Sequence, residues 1–270
     1  MSLRFVHYFL VIFVVCGSLG ARAFPEIPRE DQILVHYGNA SEPEIRADHD
    51  LKLTIWNVQK FTHGEAYRDL FHLAVTSDLV LLQESMMGDT YKRYFEGFSG
   101  LAWTNAISFF DGSSGTGVST ASRIAPTFES YVQSEAREPI MSTPKMIVIT
   151  KYKITGIDDE LMVVNIHGIN FVPTWIYASQ IAQLEKAAIN HKGPLIVAGD
   201  FNTHLPDRYL VLKQMVDDLG LNYIPMENQR DSLFIFDHAF VRGLKFASAR
   251  VRYDVVSSDH YPLEFKIPAH

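Results

Sequence analysis

The sequence predicts an α/β fold in which sheets and helices pack in layers, and three observations carry that expectation. Short apolar or alternating runs recur from residue 51 to residue 267, helix-spaced segments lie between several of them, and some runs are apolar at both parities. The last feature is the most telling. A strand with one solvated face alternates, whereas Leu79-Val80-Leu81-Leu82 and Leu161-Met162-Val163-Val164 leave no polar side for water, as expected of strands covered on two faces.

Taken from the N-terminus, residues 1–23 stand apart from that fold. Arg4 precedes an apolar run from Phe5 to Leu19, and Ala21-Arg22-Ala23 places small residues at the two recognition positions of a signal-peptide cleavage site. The run is short for a spanning helix of about 20 apolar residues and is broken by His7, Gly17 and Ser18. We therefore expect a signal peptide, a mature chain starting near Phe24 and an exported product, periplasmic or secreted; an uncleaved anchor is the alternative. Cys16, the only cysteine, lies inside this run, so the mature chain is expected to have neither disulfide nor thiol chemistry. Val15 before it is not the small residue that a lipid anchor on Cys16 requires.

Residues 24–50 mix Pro25, Pro28 and Pro43 with many charges and show no clear period, which predicts an extended arm leading into one domain over 51–270. Strands are expected at 51–58, 79–83, 102–109, 146–152, 161–166, 195–198, 235–241 and 262–267. Helices are expected at 175–190, where Ile181, Leu184 and Ala188 fall at helical spacing, and at 207–219 after Pro206. A length of 270 residues with 47% hydrophobic content suffices for one large core. The formal charge of −7, which loss of Arg4 and Arg22 takes to about −9, argues against an extended basic surface for long nucleic acid. A local basic rim stays open.

Polar residues interrupt the apolar runs at their carboxyl ends. Asn57 ends one run, Gln83-Glu84 the next and His167 a third, while Asp200 and Asn202 follow the run 195–199. Residues leaving several strands at one rim can converge, and α/β folds place their sites there. Singly, each has a plainer explanation: Asn57 or Asn202 as a turn former, Glu84 as a helix cap or a solvated residue. Farther on, Phe236-Asp237-His238 falls within an apolar run, and Ser257-Ser258-Asp259-His260 precedes the last one. Asp237 buried alone would cost several kcal/mol, so a cation or an imidazole is expected beside it, with His260 the candidate and a satisfied core carboxylate the alternative. Such a pair raises the basicity of the ring, which suits activation of water for attack on phosphorus. Carboxylates and an amide without cysteine point to a hard cation, Mg²⁺ or Mn²⁺. His63, His72, His191, His204 and His238 form no zinc spacing.

In order, Trp56-Asn57-Val58, Leu81-Leu82-Gln83-Glu84, Val164-Asn165-Ile166-His167, Ala198-Gly199-Asp200-Phe201-Asn202, Phe236-Asp237-His238 and Ser258-Asp259-His260 closely resemble the motifs of the endonuclease/exonuclease/phosphatase superfamily. Residues 162–171, Arg137-Glu138-Pro139-Ile140 and Arg242-Gly243-Leu244 look like its bacterial YafD-like group. The resemblance implies a DNase I-like, four-layer α/β/β/α sandwich of two mixed sheets flanked by helices, with a site at the rim between the sheets. It implies that Glu84 is the principal metal ligand with Asn57 and Asp259 close to the same ion, and that His260, oriented by Asp237, acts as base or phosphate ligand. It further implies that Asp200 contacts the nucleophilic water or protonates the leaving group, that Asn202 orients it, and that His167 binds the scissile phosphate or assists acid catalysis. Asn170 is a candidate phosphate contact or a loop cap. Gly115-Thr116-Gly117 lacks the Gly-Lys-Ser/Thr ending of a phosphate loop and is expected to start a strand, as the corresponding segment does in the superfamily.

An acidic protein that binds a phosphodiester still needs local positive charge, for which Lys60, Arg137 and Lys145 are the candidates, against the alternative of solvated surface residues. The leading functional expectation is a nuclease-like phosphodiesterase acting on DNA or RNA. Second comes a phospholipid phosphodiesterase resembling bacterial sphingomyelinases, which needs exposed aromatics able to enter a membrane interface: Trp103 with Phe109-Phe110, or Phe171 with Trp175 and Tyr177. Large aromatics are usually buried, so core positions are expected for these. A non-catalytic binding protein retaining the fold is the third. No protein partner is implied.

Overall fold

The computed structural model describes residues 25–230, 235–246 and 248–269. The expected signal peptide lies outside the described residues. In chain order the strands are β1 (Leu34–Gly38), β2 (Leu51–Asn57), β3 (Leu79–Met87), β4 (Ala102–Asp111), β5 (Ser114–Ser122), β6 (Phe128–Gln133) and β7 (Met146–Ile154). They continue with β8 (Ile157–His167), β9 (Leu195–Asp200), β10 (Asn222–Tyr223), β11 (Asp237–Arg242), β12 (Ser248–Val251) and β13 (Leu263–Ile267). The helices are α1 (Glu30–Ile33), α2 (Ala66–Thr76), α3 (Asp89–Glu96), α4 (Thr174–Ala188) and α5 (Pro206–Asp218).

Runs that are apolar at both parities build the layers. In β3, Leu79 and Leu81 face the other sheet while Val80 and Leu82 face α2 and α3. In β8, Leu161 and Val163 face inward while Met162, Val164 and Ile166 pack under α4 and α5. The result is a seven-stranded sheet, β1-β4-β5-β3-β2-β13-β12, stacked on a six-stranded sheet, β10-β11-β9-β8-β7-β6. Both are mixed, with the parallel pairs β2–β3 and β8–β9 at their centres. Between them lies a core of Leu53, Ile55, Leu81, Val163, Ile196 and Phe265, among others, each burial worth roughly 1.5–3 kcal/mol. This is the expected α/β/β/α sandwich.

Several details differ from the sequence-based expectation. Residues 25–50, expected as an arm, join the sandwich: β1 extends the first sheet along β4, and bridges join Glu42 to Ile124 and Ile45 to Ile154. β3 runs on to Met87 because an extra residue is inserted between Leu82 and Ser85. That bulge matters to the site. Strict alternation would turn Glu84 toward the helices, whereas a bulge with Glu84 at φ 54° re-aims it. Asp237 starts β11, and its Cα pairs with that of Asp200 at the end of β9, so both carboxylates share one rim. Gly199 has φ 142°, and a Cβ there would lie 2.1 Å from the Ile166 carbonyl oxygen, so only glycine lets β8 and β9 approach just before Asp200.

Candidate active site

One cleft of about 290 Å³ opens at the carboxyl ends of β2, β8 and β9, and its walls include Asn57, Lys60, Glu84, Lys145, His167, Asn170, Asp200, Asn202, Asp259 and His260. Asp237 stands behind His260. Arg137 is exposed and does not line the cleft. The positive wall comes instead from Lys60, whose ammonium lies 5.4 Å from the centroid of Phe109, and from Lys145, held 3.3 Å from Glu138.

At the centre is Asp200, fully buried at the end of β9. The Asn57 amide donates to its Oδ2 at 2.9 Å, and the Asn202 backbone N–H donates to its Oδ1 at 2.9 Å. Burial nevertheless holds its carboxyl well above the usual carboxylate range; His260 works against that rise and Asp237 adds to it. The His260 ring lies 3.9 Å from Asp200 through Nε2 and 2.7 Å from Asp237 through Nδ1. Burial alone would discharge this imidazole, but the charge and hydrogen bond of Asp237, then Asp200 and Asp259, outweigh it and push His260 up to about 10. His260 is thus an imidazolium at neutral pH. Of the roles that the family resemblance implies for it, base or phosphate ligand, this ionisation suits the ligand, or a proton donor.

His167 is the opposite case. Burial first, then Lys145, His260 and Lys60, drives it well below the usual imidazole range, so it is neutral. Its Nε2, 3.6 Å from Asp200 and 3.8 Å from Glu84, therefore makes polar contacts rather than ion pairs. Asp259 reaches solvent, yet the surrounding protein raises its carboxyl; His260 opposes that rise and the facing Glu84 adds to it. A carboxylate raised by a second one across the same cleft invites a cation. Asp200, Asp237 and His260 also present ligand atoms within 4.8 Å of one another. The Nδ1–Oδ2 bond already engages two of these three, so the carboxylates of Glu84 and Asp259, which line the same cleft as Asn57, fit a hard ion better.

The backbone carries a second signature. Among the described residues, the non-glycine positions with positive φ are Gln59, Lys60, Phe61, Glu84, Ser142, Phe171 and Asn202, and each lines the cleft or adjoins a residue that does. Such conformations cost on the order of 1–3 kcal/mol each and persist where surrounding structure enforces them. At Phe171 and Asn202 the Asn170 side chain takes part in this, and other side chains pin the neighbouring loop. Ser258 donates to the Asn57 carbonyl at 2.7 Å and Trp56 Nε1 to the His260 carbonyl at 3.0 Å, fixing the Ser-Asp-His loop on β2. Asn170 donates to Asn202 Oδ1 at 2.9 Å while accepting from the Phe171 N–H, which makes it a loop cap inside the cleft.

Three contributors went unnoticed in the sequence. Glu138 accepts from the Asn170 N–H at 3.0 Å and pairs with Lys145. Gln180, buried on α4, accepts from the Ile169 N–H at 2.6 Å and donates to the His167 carbonyl at 3.0 Å. Its signal was legible, since it shares the helical stripe of Tyr177, Ile181 and Leu184. Arg208 carries the same signal in α5. Of the aromatics, Trp103, Phe109 and Tyr177 are buried, as expected, but Phe171, which lines the cleft, is 61% exposed and Trp175 74%.

The profile of the Endonuclease/Exonuclease/phosphatase family matches residues 55–260. A UPF0294 protein of Vibrio campbellii is 30% identical over 271 residues, covering 94% of each chain. An endonuclease/exonuclease/phosphatase from Beutenbergia cavernae superposes with a TM-score of 0.64 at 16% identity, covering 82% of this chain and 72% of that one. The human Nocturnin catalytic domain with bound sulfate anion gives a TM-score of 0.60 at 16% identity, covering 91% of this chain and 99% of that one. These structural likenesses establish the DNase I-like fold, and the resemblance to the superfamily and its YafD-like group is borne out.

Proposed function

This chain belongs to the endonuclease/exonuclease/phosphatase family, and we propose that it is an exported, divalent-metal-dependent phosphodiesterase with nuclease-like activity. The family hydrolyses phosphoester bonds. The observation that carries the reading is one cleft in which an Asp237–His260 pair and buried Asp200 face the Glu84–Asp259 carboxylates. Glu84 and Asp259, with Asn57 beside them, would hold Mg²⁺ or Mn²⁺, which when bound offsets charge on phosphate and leaving-group oxygens.

The remaining work falls to the chain's own groups. Asp200, oriented by Asn57 and Asn202 and made proton-hungry by burial, takes the proton of the attacking water. The His260 imidazolium, held by Asp237, donates to a phosphate oxygen, and neutral His167 offers a second donor. Lys60 and Lys145 supply local positive charge in an otherwise acidic protein. Export rests on Arg4, the apolar run and Ala21-Arg22-Ala23.

One observation favours a second reading, a phospholipid phosphodiesterase: Phe171 and Met141 line the cleft yet stand exposed, and Ile140 and Trp175, close to them in the chain, are exposed as well. The test for both is a Mg²⁺-supplemented panel of DNA, RNA, sphingomyelin vesicles and small phosphodiesters, with Asp259→Ala as control. Cleavage of DNA or RNA that Asp259→Ala abolishes supports the first reading. Phosphocholine release that also needs Phe171 and Trp175 replaces it with the second. Turnover equal in Asp259→Ala, or none on any substrate, sinks both.

A further inference from the structure

Among the described residues Arg208 is the one fully buried arginine or lysine, and the chemistry above leaves it unused. It stands in the first turn of α5, in the apolar stripe that continues through Leu212 and Met215. No carboxylate among the described residues lies within ion-pair distance of it. Instead Nη1 donates to the carbonyl oxygens of Ile169 at 3.0 Å and Asn202 at 3.1 Å, and Nη2 to that of Val172 at 2.8 Å. The guanidinium carbon lies 4.7 Å from the centroid of the Tyr177 ring. Glu138 acts on it only at longer range, and a cation buried without a carboxylate in direct contact is a costly way to fill space, so its placement asks for a reason beyond packing.

The three carbonyls belong to two loops. Ile169 and Val172 follow His167 at the end of β8, and Asn202 follows Asp200 at the end of β9. Asn202 links the fork to the chemistry. At φ 52°, its N–H donates to Asp200 Oδ1 at 2.9 Å and its amide donates to the Gly168 carbonyl at 2.9 Å, while its Oδ1 receives Asn170. A guanidinium that fixes the Asn202 carbonyl therefore also fixes the donor that aims Asp200. We infer that Arg208 is a positioning residue for the cleft, holding the loops after β8 and β9 in register so that Asn202 keeps Asp200 aimed into it. Lysine, a point charge without the planar fork, cannot reproduce three bonds to fixed carbonyls.

The kinetic half of this inference rests on the phosphodiesterase reading, and the structural half does not. The experiment compares Arg208→Lys and Arg208→Met with the unaltered full chain by steady-state kinetics on a phosphodiester that it hydrolyses and by amide hydrogen exchange. Both variants are expected to lose about 100-fold in kcat with KM unchanged, and to exchange faster at Gly168 and Asn202 while Val163, Val164 and Val197 stay protected. Full kcat and unaltered exchange in Arg208→Lys overturn the inference. Loss of protection spread evenly over β8 and β9 also overturns it, because Arg208 is then a packing anchor only. If Arg208→Met does not fold, the lysine variant decides alone. If the unaltered chain hydrolyses no phosphodiester, the functional reading fails, and the exchange pattern still decides for or against positioning.

Discussion

The two ends of β8 and β9 make opposite use of polar residues. At the carboxyl end, a cleft of about 290 Å³ gathers buried His167, Asp200 and Asn202 with the strained backbone of Glu84 and Lys60. At the amino end, a groove of about 880 Å³ is lined by Lys153, Asp158, Asp159 and Lys192, all exposed, under backbone without positive φ except at glycine. The larger hollow is the less organised one. Volume therefore does not mark the site; convergence of desolvated polar groups on an enforced backbone does.

That contrast breaks most sharply at Glu84. Glu84→Gln is expected to lower kcat/KM on the order of 10³-fold, because a cation that offsets transition-state charge loses its main oxygen ligand, whereas Asp159→Asn in the far groove leaves kcat/KM unchanged. Steady-state kinetics of both variants on one phosphodiester make the comparison. Equal effects would erase the distinction between the two ends.

Next in size is Asp237→Asn, for which about a 10²-fold loss in kcat is expected, since His260 keeps its place but loses the charge that keeps it protonated. The pH profile sharpens this. Asp200, raised by burial, sets an acid limb above the ordinary carboxylate range, and His260, raised to about 10, sets an alkaline limb that moves to lower pH in Asp237→Asn. For stability the sign is fixed as well. Between about 6.5 and about 10 the folded chain holds a proton on His260 that the unfolded chain has released, so this contribution, complete below the window, is lost as pH rises through it. Thermal melts across that range should show the decline in the unaltered protein and a weaker one in Asp237→Asn. The smallest effect belongs to Lys145→Met, expected to raise KM about tenfold with little change in kcat, because under the proposed function Lys145 would meet phosphate charge in ground and transition states alike.

How much of this was legible in the sequence follows the same division. Polar residues ending apolar runs announced Asn57, Glu84, His167 and Asp200, and runs apolar at both parities announced two-sided burial, so the layers were readable. The bulge that re-aims Glu84 was not, because it is a property of how β3 pairs with β5. Charge alone offers Lys60, Arg137 and Lys145 alike, and nothing in a linear pattern separates the two lysines that line the cleft from Arg137, which does not. Residues 25–50 show no period because edge strand β1 and the bridges at Glu42 and Ile45 draw their order from partners far along the chain. In α2, by contrast, Ala66, Leu70, Leu73 and Ala74 fall at helical spacing and could have been read.

The central claim is that the small cleft hydrolyses phosphodiesters with the help of a divalent cation held at Glu84. Its most direct test is the hydrolysis of bis(4-nitrophenyl) phosphate by chelator-treated protein as Mg²⁺ or Mn²⁺ is restored, alongside Glu84→Gln. The account predicts no turnover in chelator, saturable recovery with metal, and no recovery in Glu84→Gln. Turnover that persists in chelator, or that returns equally in Glu84→Gln, would contradict it.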